Sequence, residues 1–428
     1  MLCPKDSGPG FKDGAVRTTS LERWALPTRF GRFYRQRLEQ TPKLDLITDL
    51  TCVKIACDPA TGAVDHLELK SLAGMRATAR ARFYVLATGG LEATRLLLAS
   101  DDVHPGGIGN RSGHLGRWYM AHVEARVARV HLTTDPAQTI HSHERDDEGV
   151  YVRRRFTFAP EVQRDRGLPN AAIWFVNPPM AEPGHGSGIL SGVYLTLISP
   201  LGRYMLAEAI RQAGTKSSVP VRKRDHLRNI VRDLGPAVRF AVSFGYSRFL
   251  RRGRKAPGFF VRSAANVYPL DYHGEHLPNA DSRVVLTDER DALGVRRIRT
   301  EMAFSDEDVT SVARAMQVLD EELRNAGVGH LEYLYEDIEA GVRECLRGGS
   351  GYHQTGTTRM AADATGGVVD RNLAVFGSDN LFVASTSTLP TSSQANPTLT
   401  GVALAVRLAE HLGRGLTATA RASGGVTE

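Results

Sequence analysis

Cysteine is scarce: four residues in 428, namely Cys3, Cys52, Cys57 and Cys345. Four cannot staple a chain of this size, and Cys52 and Cys57 have neither the spacing nor the companions of a zinc site. No metal ligand is therefore expected. Long apolar runs are missing too, and none approaches the roughly eighteen residues that a membrane span needs. The opening Met1-Leu2-Cys3-Pro4-Lys5-Asp6 has no apolar core and no small-residue cleavage site, so it does not read as a secretory signal. A reducing, cytoplasmic setting is the expectation. Internal repeats and low-complexity blocks are absent. So is any G-x-S-x-G elbow, which argues against a serine nucleophile in the hydroxyl-rich stretch 385–393.

What is present is ordinary globular composition, 42% hydrophobic and 24% charged, which excludes a disordered or fibrous chain. The length suits two or three structural units, or one large two-domain enzyme. Lys plus Arg number 54 against 47 Asp plus Glu, a net +7. That surplus is too mild to point to nucleic acid on its own. Arg222-Lys-Arg224 and Arg251-Arg-Gly-Arg-Lys255 offer a binding surface for phosphates or an acidic partner. No aromatic residues interleave with those cations as base stacking requires.

Along the chain, residues up to about Val16 read as loop, and Phe33–Leu38 as a short helix. Leu44-Asp-Leu-Ile-Thr48, Cys52-Val-Lys-Ile-Ala56 and Val64–Lys70 alternate as strands, with a turn at Pro59-Ala-Thr-Gly62. Ala81–Ala87 becomes continuously apolar, as buried parallel strands do, and Gly89-Gly90 then opens a helical run, Leu91–Ser100. The middle alternates in short bursts (Val123–Leu132, Tyr151–Phe158, Ala171–Val176, Ile189–Ile198), predicting an antiparallel sheet, with a basic helix-leaning segment at about 202–255. Ser305 followed by three acids predicts a capped helix, and Val309, Val312, Met316, Leu319 and Leu323 keep its spacing. Asn380–Ala384 is a short apolar strand. Asn396 as N-cap and Pro397 at the first helical position open a helix over Leu399–Leu412; the tail beyond Gly413 is expected to fray.

Two C-terminal features can carry chemistry. The helix starting at Pro397 presents free N–H groups beside a loop of hydroxyls, a setting for an anion or a polarised carbonyl. His353 precedes Gln-Thr-Gly356-Thr-Thr, where glycine and hydroxyls permit close backbone approach and an imidazole can serve as a base near neutral pH. A capped core helix and a structural histidine are the plainer alternatives.

His353-Gln-Thr-Gly-Thr-Thr-Arg-Met360, Gly367-Val-Val-Asp370, Val375-Phe-Gly377, Asp379–Val383, Leu389-Pro-Thr391 and Ala395-Asn-Pro-Thr-Leu-Thr400 together resemble the C-terminal signature of the glucose–methanol–choline (GMC) oxidoreductases. Pro27-Thr-Arg-Phe-Gly31, Val85–Gly90 with Leu91–Leu97, Gly109-Asn110, Leu115-Gly-Arg117, Met120-Ala-His122 and Pro278–Val284 extend the resemblance over nearly the whole chain. The resemblance implies FAD-dependent oxidation of an alcohol or sugar hydroxyl to a carbonyl. It makes His353 the catalytic histidine and Asn396 the second active-site residue, as in the pyranose oxidase-like and fructose dehydrogenase-like branch. It implies cofactor contacts from Val53, Thr88, Gly89, Gly90, Ser385, Pro397 and Thr398. Ser385 stands where Asp or Gly is frequent. The electron acceptor stays open.

The fold class so implied is α/β plus β: an incomplete FAD-binding Rossmann-like domain (1–123 and 346–414) interrupted by an antiparallel-sheet substrate domain (124–345), with a flexible tail at 415–428. It is incomplete because no strand–G-x-G-x-x-G–helix unit is present; Gly8-Pro-Gly10 and Gly106-Gly-Ile-Gly109 lack that setting. Three explanations stand: an N-terminally truncated sequence, which is favoured, a separate chain supplying the nucleotide unit, or a non-catalytic remnant that binds through its basic 222–255 segment.

Overall fold

The computed structural model describes residues 14–24, 29–136, 143–205, 208–217, 219–250, 257–263, 265–347 and 352–423. Cys3, Gly8-Pro-Gly10, Pro27-Thr28, Arg251–Lys255 and Gly351 lie outside the described residues.

β1 (Val16–Trp24) is followed by β2 (Thr51–Cys57), β3 (Val64–Lys70) and β4 (Arg76–Ala79), the last three forming a small antiparallel sheet. The β2–β3 turn is closed by the Asp58 carboxylate, which accepts the Ala60 and Thr61 N–H groups at 2.8 and 2.9 Å. β5 (Tyr84–Leu86) leads through Gly89 into the helix Gly90–Ala99. Then come β6 (His122–Leu132), β7 (Glu144–Arg145), β8 (Tyr151–Phe158), β9 (Ala171–Phe175) and β10 (Val267–Glu275). β11 (Arg283–Arg290) and β12 (Arg296–Glu301) make a hairpin, and β13 (Gly329–Tyr333) and β14 (Leu381–Val383) complete the series.

The large sheet runs β1-β8-β9-β10-β6-β13, with β7 on β8, and its pairings are antiparallel. Its apolar face packs against the helix Asp306–Asn325 through Val309, Val312, Met316, Leu319 and Leu323, all buried. Each such side chain contributes roughly 1.5–3 kcal/mol relative to exposure. Ser305 caps that helix in a capping box with Asp308. A second core gathers Ile55, Leu86, Leu97, Val368 and Val383 around β5 and β14, which pair in parallel.

Several elements differ from the sequence expectation. Ile189–Ile198 lies in a helix, Gly188–Ile198, capped by Ser187; its buried residues Leu190, Ser191, Tyr194 and Leu197 follow the helical period. A segment apolar on all sides satisfies both periods, and here the second won. Leu44–Thr48 forms no strand, and Leu46 and Ile47 are exposed. The C-terminal helix spans Thr398–Ser423, running through Gly413 where an end was expected. Its first bond runs from Gly401 N–H to the Pro397 carbonyl, so Pro397 rather than Asn396 is the capping residue. The short helix sits at Arg35–Gln40, after a turn at Phe30–Phe33.

Candidate active site

Register brings the site together. β6 and β10 pair so that Glu275 faces His122 and Glu124 faces His273. His122 and His273 are therefore diagonal neighbours on one face of the sheet, with ring centroids 4.0 Å apart. The third ring, His353, stands edge-on to His122 at 5.0 Å.

His353 comes from a loop, and the loop is pinned. Thr355 and Met120 exchange backbone hydrogen bonds of 3.0 and 3.1 Å just before β6 begins. Gly356 adopts φ +91°, and a Cβ there would lie 1.8 Å from the Trp118 carbonyl oxygen. Only glycine allows that approach. Buried hydroxyls secure the rest: Thr94 donates to Gly90 O or Thr357 Oγ1, both at 2.8 Å, and Thr358 and Ser387 meet at 2.7 Å. Thr386 donates to the Gln354 carbonyl at 2.9 Å.

The loop preceding Asn396 is sewn to the same sheet. Arg155 donates to Gln394 Oε1 at 3.1 Å, and Asn170 donates to Ser393 Oγ at 3.2 Å. His273 Nδ1 donates to the Gln394 carbonyl at 3.0 Å. A carbonyl only accepts, so Nδ1 carries a proton, and Nε2 lies 3.5 Å from the Glu124 carboxylate.

Burial, helped by the neighbouring imidazoles of His273 and His353, pushes His122 down to about 3 despite the opposing charge of Glu124. His353 is also held below the ordinary imidazole value, by burial and then by His273. Near neutral pH both rings are uncharged and retain a lone pair. Both His122 nitrogens and His353 Nδ1 are buried with no protein hydrogen-bond partner. Buried polar atoms rarely go unsatisfied, which sets these two rings apart from His273, whose Nδ1 is bonded to the Gln394 carbonyl. The three rings are also the set that could hold a metal among the described residues. One nitrogen of each ring lies within 4.8 Å of a nitrogen of the other two.

The expected cofactor residues divide into two places. Thr88 and Gly89 are exposed at the end of β5; Gly89 has φ +79°, and a Cβ there would meet nothing within 4 Å. Gly90 is buried, its added Cβ 3.3 Å from Ser387. Asn396 and Thr398 are exposed and Pro397 is buried at the start of the last helix. Ser385 is buried, and its hydroxyl accepts the Ser387 N–H at 3.2 Å. Val53 is buried in β2 and lines a surface cleft with Lys54, Glu68 and Arg296, a cleft that contains none of the three histidines. Sequence reasoning assigned no role to His122, His273 or Glu124. His273 lies between Asp271 and Glu275 on the non-core face of β10 and reads as solvent-facing; only the register reveals its neighbours.

Residues 278–405 match the C-terminal family model of the GMC oxidoreductases. Over 71 residues the chain is 46% identical to a C-glycoside 3-oxidase of Microbacterium trichothecenolyticum, a stretch covering 16% of this chain and 14% of that protein. Among solved structures, pyridoxine 4-oxidase from Mesorbium loti superposes with a TM-score of 0.50 at 17% identity, covering 92% of this chain and 64% of the other. An FAD-dependent oxidoreductase from Chaetomium thermophilum gives 0.47 at 14% identity, covering 90% and 64%. The chain thus spans under two thirds of these structures and about a seventh of the curated relative. The first structural likeness shows the fold, a mixed α/β arrangement with antiparallel sheets.

Proposed function

We propose that this chain, whose residues 278–405 match the C-terminal family model of the GMC oxidoreductases, carries the substrate face of a FAD-dependent enzyme that oxidises an alcohol or sugar hydroxyl to a carbonyl. The observation that carries the reading is His353, whose Nδ1 has no protein hydrogen-bond partner, on a loop fixed by Gly356. The similarity to a C-glycoside 3-oxidase favours a sugar over a simple alcohol.

The residues present fit the ring end of the flavin better than its dinucleotide end. Open space in front of Gly89, the uncapped start of the helix Gly90–Ala99, and the exposed Asn396 and Thr398 leave room for a planar ring. Thr88, Gly89, Gly90, Pro397 and Thr398 would border it. The nucleotide end has no strand–G-x-G-x-x-G–helix cradle among the described residues. Among the described residues β5 pairs with β14 alone, Val85 is 43% exposed, and Leu399 on the last helix is 82% exposed. Parallel strands are ordinarily covered on both faces. We therefore assign the pyrophosphate to a unit that packs on this face, supplied by residues beyond this sequence or by a separate chain. In this scheme 1–123 and 346–414 are parts of an interrupted Rossmann-like cofactor domain, and 124–345 is the substrate domain.

Bound there, FAD would supply a hydride-accepting centre. The chain's own contribution is proton chemistry. His353 accepts the hydroxyl proton as the carbinol is oxidised, a role its depressed basicity keeps available at neutral pH. Asn396 holds the substrate oxygen through its carboxamide. His122 and His273 offer nitrogens to neighbouring hydroxyls, with Glu124 opposing the loss of basicity of His122.

The test restores an upstream glycine-rich βαβ unit and follows flavin absorbance with sugar added anaerobically. Bleaching in the restored protein, lost or slowed by about 10²–10⁴ in His353→Ala with flavin retained, supports the assignment. Unchanged bleaching in the variant refutes the role of His353.

A further inference from the structure

The basic insertion has two faces with opposite chemistry. Its inner face is fixed by specific contacts. His226, fully buried, meets Ser191 Oγ at 3.0 Å and the Ala181 carbonyl at 3.2 Å, and stacks on Tyr194. Asn229 donates to the Pro183 carbonyl at 2.8 Å, and the Asp233 carboxylate accepts the Gly188 N–H at 3.0 Å. Phe240 and Phe244 pack on Phe259. The helices Lys223–Arg232 and Leu234–Gly245 are therefore seated on the domain, and what faces outward is not a misplaced core.

The outer face carries an apolar stripe. Leu227, Val231, Leu234, Val238, Val242, Tyr246 and Leu250 recur every three or four residues and are each 53–75% exposed. Arginine surrounds it. Residues 222–255 hold eleven Lys and Arg against two Asp, a surplus of nine that exceeds the +7 of the whole chain. Arg222, Lys223, Arg228, Arg232 and Arg239 have no carboxylate partner among the described residues.

We propose that this face docks on an anionic lipid bilayer, lying in the interface with the stripe among the acyl-chain ends and the arginines on the headgroup phosphates. The pairing of the two features selects this occupant. Arginines alone would suit any phosphate, and the stripe alone would suit any apolar surface; an anionic bilayer presents both within one helix diameter. The helices lie on the membrane and do not cross it. Ten and twelve residues span about 15–18 Å, against a hydrocarbon core of about 30 Å. No described helix is long and apolar enough to cross.

The test is co-sedimentation of the full chain with vesicles of phosphatidylcholine alone and with about 30% phosphatidylserine, at about 0.1 M and 0.5 M salt. Binding to the anionic vesicles only, weakened at high salt and reduced at least tenfold in V231D/V242D with an unchanged melting temperature, is the expected result. R228E/R232E should lose the preference for phosphatidylserine. Failure to bind either vesicle overturns the proposal, as does binding indifferent to both variants. Sedimentation velocity supplies the remaining outcome: a dimer that V231D/V242D dissolves makes the stripe a contact between two copies and overturns the lipid assignment.

Discussion

Gly356→Ala puts the construction of the site under direct test. The added methyl would lie 1.8 Å from the Trp118 carbonyl oxygen and 2.8 Å from Met120 Cε. A backbone carbonyl cannot step aside as a side chain can, so the 353–358 segment must move away from β6. That movement breaks the reciprocal Met120–Thr355 hydrogen bonds, worth about 0.5–1.5 kcal/mol each. Holding alanine at φ +91° adds about 1–2 kcal/mol. The expected loss is about 2–5 kcal/mol in urea unfolding. Gly74 is the matched control, because it has φ +90° and nothing within 4 Å of an added Cβ. Gly74→Ala should cost only the conformational part, about 1–2 kcal/mol. Should the two variants lose equal stability, the close approach at Trp118 is not what requires glycine, and the pinning of His353 must be explained otherwise.

Three further outcomes are expected. His122 is depressed from 6.5 to about 3 in the folded chain, so the unfolded chain binds the extra proton between those values. Stability attributable to it is complete above about pH 6.5 and declines as pH falls through 3, by on the order of 5 kcal/mol; His122→Gln should flatten that slope in pH-dependent melts, and an unchanged slope would sink the assignment. Glu124 raises the basicity of His353, so Glu124→Gln should move the His353 titration, followed by imidazole NMR, to lower pH; movement upward would contradict the arrangement. Thr94→Val leaves the buried Thr357 hydroxyl without its side-chain partner and should cost about 1–3 kcal/mol; a neutral result in denaturant titration would show that another group serves the network.

Much of the C-terminal third was legible because its motifs are local. His353, Gly356 and the Asn396-Pro397 helix start announce themselves by residue type and short spacing. The capped helix at Ser305 was readable because caps, first-turn charge and apolar period agree. Other features lie outside local pattern. His122 and His273 meet only through the β6–β10 register, which pairs residues about 150 apart. The segment 189–198 reads as an alternating strand, yet it is apolar enough to fit the helical period as well, and His226 and Asn229 of the neighbouring helix cover one face of the helix it forms. The Ser385 hydroxyl accepts the Ser387 N–H, a choice of partner that composition does not encode.

The β5–β14 pair has a consequence for how the chain is made. Tyr84 aligns with Leu381, so one strand leaves the ribosome about three hundred residues before the other exists. At about 5–20 residues per second, β5 and its apolar neighbours wait some fifteen seconds to a minute with both edges open. During that interval the antiparallel sheet between them can fold, and its completion draws the two distant strands together. Synthesis slowed within residues 124–345 should therefore lower the yield of folded protein more than an equal delay after Val383.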